Sequence, residues 1–521
     1  MALRWLAAAL AAGGLAAGVS VPARAAQVPP TGAAAHAGPA SKTFTIRIVA
    51  IDRFGARVVT EPVVLQGTSN LVSAGRQTVR LAAGHYLVGS AIETPAKGSA
   101  QLSETMIAKT VTVSRSTTIT LDARTGRLLT VAFSAPGAHQ VLQGGALCDG
   151  IGAGAMLAGV YDDPAGTTYV GSVPKGVQLF YQSRWQTNTG TIYDLAGAAA
   201  PGSKAAPHFR DSVSKLAKVH LQLRTGASPA GPGSGFLLDH GANCEPGGDV
   251  LQVAAPWAAT DYMQAGSWTT DVGIGARTLY WSGAVKAKRS YTVALGAAVY
   301  GPWPSFNGTL VPDLNGRQLA FLPAGLFSDP VAQGTVSCAA SLESVLRRGT
   351  STLRRSHAGG CSSSGLTRTL PRSGWYQLQV TGTQPTRLSS KVTLNWHFYA
   401  KLGPQQSWPV ALPVTLTEFR ADGLSLLNAA AAGARAKVVV RVLKAAYPDS
   451  PSPVNRLKSV RVEASFDGGA TWRALALRRT GTSWTAEVRD PASGYASLRS
   501  IVVNTAGDTS TQTVYKAYAI G

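Results

Sequence analysis

Residues 460–472 read Val460-Arg461-Val462-Glu463-Ala464-Ser465-Phe466-Asp467-Gly468-Gly469-Ala470-Thr471-Trp472. Apolar side chains recur at every second position up to Phe466, the signature of a strand with one buried face. Asp467, two glycines and Thr471 then mark a tight turn. The carboxylate and hydroxyl groups can bond turn N–H groups, glycine accepts positive φ, and Trp472 can pack beneath the hairpin. The same alternation recurs on both sides of this turn. Residues 437–443, 459–466, 471–477, 483–488, 497–503 and 511–518 are six expected strands at the roughly 8 to 15 residue spacing of an immunoglobulin-like sandwich, placed at 410–521.

The turn matches the pattern S-x-D-x-G-x-T-W, with Ser465, Asp467, Gly469, Thr471 and Trp472 in the defining places. It resembles the Asp-boxes of sialidase-like propellers, where such boxes recur, are structural and lie away from the chemistry. A single copy predicts a staple in the fold rather than a propeller blade. Upstream, residues 374–380 and 392–398 alternate well and predict paired strands of a second sandwich or jelly roll at 306–403.

The first module is expected at 43–126. Phe44, Ile46, Ile48 and Ala50 share a strand face, and residues 63–65, 78–81, 84–88, 109–113 and 117–121 are further short strands. The order of strand, Asp52-Arg53-Phe54-Gly55 turn and Ala83-Gly84-His85-Tyr86 strand resembles carboxypeptidase-regulatory-like, transthyretin-like sandwiches, a fold with no activity of its own. Between 127 and 305 a β-rich middle domain is expected, with short segments at 128–133, 178–181 and 291–299 between Gly/Pro-rich loops. Residues 213–223 read equally as a helical turn or a strand. The predicted fold class is all-β, a tandem array of β-sandwich domains.

Composition agrees. Of 521 residues only 14% are charged, while 57 are glycine and 29 proline, which excludes coiled coils, helical bundles and charge-rich disorder. Arg4, the apolar run from Trp5 to about Val19 and the small-x-small site Ala23-Arg24-Ala25 predict a signal peptide at 1–25, cleaved near Ala25, followed by a disordered linker at 26–42. No later apolar run is long enough for a transmembrane anchor. The tail, Tyr518-Ala519-Ile520-Gly521, carries no sortase-type anchor, and the nearest match, Leu370-Pro371-Arg372-Ser373-Gly374, is internal. A secreted, extracellular protein is expected.

The net charge of +22 becomes +20 once Arg4 and Arg24 are removed with the leader, enough to attract polyanions such as wall teichoic acids. Without an RNP, KH, zinc-finger or helix-turn-helix pattern, no specific nucleic-acid recognition is expected. The densest cluster, Arg347, Arg348, Arg354, Arg355 and His357, reads as a solvated loop or, alternatively, an anion-binding one.

Four cysteines in an exported chain predict two disulfides. Among three connectivities, Cys148 with Cys244 and Cys338 with Cys361 keeps each bridge inside one domain, and closing the second loop would stabilise by about 3 kcal/mol. None has the near partner that a structural zinc site needs, so no metal and no cofactor are expected.

Catalytic patterns are poor. Asp211, His240 and Ser351 stand in subtilisin order, but neither His240 nor Ser351 opens a helix. G-x-S-x-G occurs only as Gly231-Pro232-Gly233-Ser234-Gly235, and H-E-x-x-H and P-loop motifs are missing. Spacing alone selects no pair among the 26 acidic residues for glycosidase chemistry. Trp257, Tyr262, Trp268, Tyr280, Trp281 and Trp303 crowd one stretch; they are either core packing or a platform for a carbohydrate or peptide.

Three stretches carry a family resemblance: 110–128, containing Val111-Thr112-Val113-Ser114; 370–398, with Gly374-Trp375-Tyr376 and Asn395-Trp396-His397-Phe398; and 460–473. The mature chain resembles the long C-terminal β-rich accessory region of large secreted actinobacterial subtilisin-family (S8) peptidases. Those peptidases carry an α/β catalytic domain ahead of these modules, whereas here the expected leader and linker run straight into the first sandwich. No catalytic residue transfers. The expectation is a non-enzymatic, extracellular or cell-wall-associated binding or adhesion module whose partner is a cell-wall polymer, a polysaccharide or a secreted protein. The alternatives are an accessory hydrolase with its site in 127–330, or a protein that docks onto a secreted peptidase.

Overall fold

A computed structural model describes residues 42–67, 70–95, 102–149, 155–163, 167–203, 207–224, 234–240, 249–253, 255–274, 277–302, 313–321, 325–329, 339–360, 365–405, 409–444 and 456–521. The expected leader, all of the expected linker except Lys42, and Cys244, Cys338, Cys361 and Trp303 lie outside them. Among the described residues no α-helix occurs; Ala123–Thr125 and Val213–Lys215 are 3-10 turns and the ordered elements are otherwise strands. The protein is all-β, built from face-to-face sheets.

In the first sandwich Thr43–Ile51 is central, antiparallel to Thr78–Ala82 and parallel to Thr117–Asp122. Its alternation buries Ile46, Ile48 and Ala50 against Val64, Val88 and Ile92 of the facing sheet. Asp52 closes the turn that follows: its Oδ1 accepts from the Phe54 and Ala56 N–H groups at 2.9 and 2.8 Å, and Gly55 takes φ +92°. The facing sheet does not end at residue 126. Thr168–Val170 lies between Leu102–Val113 and Arg127–Leu128. Met106 and Ala108 share a core with Leu129, Leu147 and Leu179, so burial ties the first sandwich to the middle region.

A seven-stranded sheet organises the middle, in the order Met156–Asp163, Ala138–Asp149, Val177–Thr187, Ile192–Ala198, Trp257–Gln264, Leu216–Leu223, Ser290–Leu295. One face packs on the first sandwich. The opposite face packs through Val219, Leu221 and Met263 onto Trp268 and Val272 of a four-stranded sheet formed by Asp249–Val253, Ser234–His240, Gly266–Ile274 and Arg277–Val285. Residues 213–223 combine both readings, a 3-10 turn and then the strand Leu216–Leu223. Cys148 is fully buried and disulfide-bonded; its bridge partner lies outside the described residues.

The C-terminal half is a double layer around a nine-stranded sheet, ordered Ser351–Gly360, Ala339–Arg348, Gly374–Thr383, Lys391–Ala400, Thr509–Ile520, Gly494–Asn504, Leu457–Ser465, Arg473–Ala474, with Ala429–Ala430 also pairing Thr509–Ile520. The expected boundary near 403 falls inside this ladder, because Lys391 to His397 pair with Tyr515 to Thr509. The reason is a shared core: Tyr376, Trp396 and Phe398 pack with Phe321, Phe419 and Tyr518, and Trp396 Nε1–H donates to the Thr415 carbonyl at 3.1 Å. The boundary near 305 is also bridged, since Asn428 Oδ1 accepts from Ala298 N–H at 2.9 Å.

Two local readings are corrected. The Arg347–His357 cluster is not a loop but a hairpin of two ten-residue strands, Ala339–Arg348 and Ser351–Gly360, turning at Gly349 (φ +54°). Of residues 471–477 only Arg473–Ala474 pairs as a strand, with Glu463 and Ala464, because the preceding turn consumes residues up to Trp472.

Candidate functional site

One face of the nine-stranded sheet covers the core; the other faces outward. In Gly374–Thr383 the buried positions are Tyr376, Leu378, Val380 and Gly382, which places Trp375, Gln377, Gln379 and Thr381 on the outer face. Lys391–Ala400 likewise buries Val392, Leu394, Trp396, Phe398 and Ala400 and turns Thr393, Asn395, His397 and Tyr399 outward. Trp375 stands opposite Tyr399, and Gln377 opposite His397.

Trp375 and Tyr399 remain 39% and 45% exposed. The Trp375 ring stacks on His397, with centroids 4.8 Å apart and planes 7° from parallel, and meets Tyr399 edge-on at 5.6 Å. The Asn504–Asp508 turn supports the group. Asp508 Oδ1 accepts from Tyr399 N–H at 2.9 Å, Asn504 Nδ2 donates to Asp508 Oδ2 at 2.7 Å, and Gly507, at φ +92°, lies against the indole edge. Beside the rings, Gln377 Nε2 donates to Asn395 Oδ1 at 2.8 Å, and half-buried Gln379, Thr381, Thr393 and Thr511 continue a flat amide and hydroxyl surface. Exposed ring faces next to aligned amides can cover apolar sugar C–H faces while bonding hydroxyls.

The far end of this face is filled. The Trp472 indole packs under the Arg499 guanidinium at 4.2 Å and edge-on to Tyr515 at 6.5 Å, while Arg499 pairs with Glu463 at 2.5 Å. The Asp467 turn is closed by its own bonds. Ser465 Oγ donates to Asp467 Oδ1 at 2.7 Å and accepts from Gly469 N–H at 2.8 Å; Thr471 donates through N–H and Oγ1–H to the same carboxylate at 2.9 and 2.5 Å. Those donors hold the Asp467 carboxyl far below the usual carboxylate range.

Of the six aromatic residues singled out in the middle region, the described ones divide between the two faces of the seven-stranded sheet. Trp268 is fully buried in the core and its Nε1–H donates to the Gln264 carbonyl at 2.8 Å, a correction with a plain cause: its position on Gly266–Ile274 points between the sheets. Trp257 and Trp281 are half-buried against the same core. Tyr262 stacks on Tyr193 at 5.2 Å on the other face of the seven-stranded sheet. The Tyr280 side chain and Trp303 lie outside the described residues. Trp257 also lines an open groove of ≈ 840 Å³ with Gln186, Thr191, His220, Gln222 and Thr260.

The residues standing in subtilisin order do not come together. Asp211, His240 and Ser351 lie in three different sheets, and Asp211 accepts from the Tyr181 hydroxyl at 2.5 Å. Asp194 and Asp261 are a carboxylate pair inside the middle sandwich, facing Arg184, whose Nε and Nη2 donate to Asp194 at 2.8 and 3.2 Å. All three are at most 1% exposed, so this pair meets no substrate. Burial, and then the neighbouring Asp194, push the Asp261 carboxyl well above its usual range. No cluster of His, Cys, Asp or Glu suited to a metal occurs among the described residues, and no helix among them is long and apolar enough to cross a membrane.

No protein-family model matches the chain, and no curated protein matches it. Similar solved structures include the Bacillus anthracis TIE protein, at 12% identity and TM-score 0.12, covering 49% of this chain and 50% of that one. A streptococcal ancillary pilin, at 11% identity and TM-score 0.12, covers 49% of this chain and 98% of its own. Escherichia coli alpha-2-macroglobulin activated by porcine elastase, at 8% identity and TM-score 0.15, covers 92% and 53%. The chain thus spans half of the TIE protein, and TM-scores of this size do not establish a shared fold.

Proposed function

We propose that this protein is a secreted, non-enzymatic binding module that holds a cell-wall polysaccharide on the outer face of its nine-stranded sheet. The observation that carries the reading is the exposed Trp375–His397–Tyr399 group set beside the Gln377–Asn395 amide pair. A polysaccharide strand laid along this face meets stacking surface first and directional amide bonds next, without entering a pocket. The Arg184–Asp194–Asp261 cluster fits the non-catalytic side of the proposal, because its two carboxylates have no access to solvent. The export signal read at 1–25 and the resemblance to accessory regions of secreted subtilisin-family peptidases belong to the same proposal.

Co-sedimentation of the mature protein with purified bacterial cell wall, chitin and cellulose tests it. The comparison is between low salt and about 0.5 M salt, where the Debye length falls to roughly 4 Å. Retention at high salt that is lost in Trp375→Ala/Tyr399→Ala is the expected result. Binding that disappears with salt in wild type, or survives in the double variant, overturns it.

A further inference from the structure

The sheet Thr415–Asp422, Arg435–Lys444, Ser483–Arg489, Arg478–Thr480 and the strand Leu457–Ser465 leave a cleft of ≈ 920 Å³ between them. Its floor is apolar: Val442, Leu443, Val460 and the half-buried Trp484, which also packs on the core. Its walls carry Arg441, Arg456, Lys458 and Arg479, all exposed, and no carboxylate lines it among the described residues. Arg479 is set over the Trp484 ring at 5.7 Å and bonds the Gly481 carbonyl through Nε, while Arg441 reaches Glu418 at 2.5 Å through Nη2. Arg456 is fixed at the cleft edge by its main chain, whose carbonyl accepts from Thr505 N–H at 2.8 Å.

Four cations around an indole floor, three of them guanidinium forks, match a ligand that alternates tetrahedral anions with small apolar-edged units. Guanidinium forks bond phosphate oxygens two at a time, and an indole face covers C–H groups. We propose that this cleft binds a phosphodiester-linked polyol polymer, with the phosphates on Arg456, Lys458 and Arg479 and the polyol carbons on Trp484. The cleft is a separate place from the outer-face platform, and the inference stands without it. It gives the net charge, +20 for the mature chain, a specific address: the surface as a whole draws in polyanions, and this cleft sets cations beside an apolar floor.

The test is calorimetric titration of the full mature chain with a short poly(glycerol phosphate) at about 0.15 M salt, where charges farther apart than about 8 Å are largely screened. Arg456→Ala/Lys458→Ala/Arg479→Ala should weaken binding by about tenfold or more, as the loss of charge-assisted bonds implies. Arg47→Ala/Arg80→Ala/Arg354→Ala, which removes the same charge from exposed positions elsewhere, should change it by less than about twofold. Trp484→Phe should abolish the ligand-induced change in tryptophan emission, and Trp375→Ala/Tyr399→Ala should bind like wild type. Equal losses in the two triple variants, or equal affinity for a carboxylate polymer such as polygalacturonate, would overturn the assignment. Absence of measurable binding would do the same.

Discussion

The Trp375 indole lies on the His397 imidazole, one residue pair removed from its direct cross-strand partner Tyr399, with the two ring planes only 7° apart. This diagonal stack holds one face of the indole against the imidazole, and the side chain stays 39% exposed. Replacing Trp375 by Ala should therefore lower polysaccharide retention by about tenfold, or ~1.4 kcal/mol. Exposed surface changes alter stability by only about 0.5 kcal/mol, so denaturant midpoints should stay put. A shift in midpoint that parallels the binding loss would show the ring to be structural.

Asp467 is ionised in a turn that Thr471 and Ser465 bond to it, and its carboxyl is held far below the usual range. A depressed folded value means stability that is present above the unfolded value of about 3.9 and fades as pH falls toward the folded one. Thr471→Ala should raise the Asp467 titration toward the ordinary range, read by carboxyl NMR. Gly469→Ala should lower the melting temperature, since φ is +97° and a Cβ would lie 2.8 Å from Tyr515 Cε1.

Asp261 has the opposite sign. Its folded value is raised by burial and by Asp194, so native stability falls as pH climbs from about 3.9 through the raised value. Asp261→Asn should flatten that slope and be neutral in acid. Chemical denaturation of wild type and variant across pH 3 to 8 measures it, and parallel curves would contradict it. Arg184→Leu, which leaves Asp194 buried without its guanidinium, should cost about 3 to 5 kcal/mol.

Trp396 is fully buried and its N–H reaches across to Thr415. Truncation to Ala should cost about 3 to 5 kcal/mol. Because the core of residues 298–520 is shared, unfolding should remain a single transition for that half. Separate transitions either side of residue 403 would contradict the continuous ladder.

Cys148 is bridged, and peptide mapping under non-reducing conditions should find it joined to Cys244, with Cys338 joined to Cys361. Cys148→Ser should destabilise the chain by about 2 to 5 kcal/mol.

Period-2 alternation located strands at 44–50, 374–380 and 392–398, inside the observed Thr43–Ile51, Gly374–Thr383 and Lys391–Ala400, while the side of the sheet that stays open came from burial, with Tyr376, Leu378 and Val380 inward and Trp375, Gln377 and Gln379 outward. The alternation of aromatic and amide residues in 375–379 and 395–399 was the available signal for the platform. Crowding of tryptophans between 257 and 303 pointed elsewhere, because closeness along the chain says nothing about which side of a sheet stays uncovered: Trp268 occupies an inward position and is sealed.

By itself the sequence determined that this chain is a β protein with a stapled Asp467 turn, since strand period and turn chemistry are local, set by backbone sterics and by side chains within a few residues of one another. Tertiary structure alone decided that Lys391–Ala400 pairs with Thr509–Ile520, that Arg184 meets two aspartates, and that Trp375 is left open. Those outcomes depend on which apolar faces fit together at separations from ten to more than a hundred residues, and a ladder forms between whatever strands that burial brings side by side.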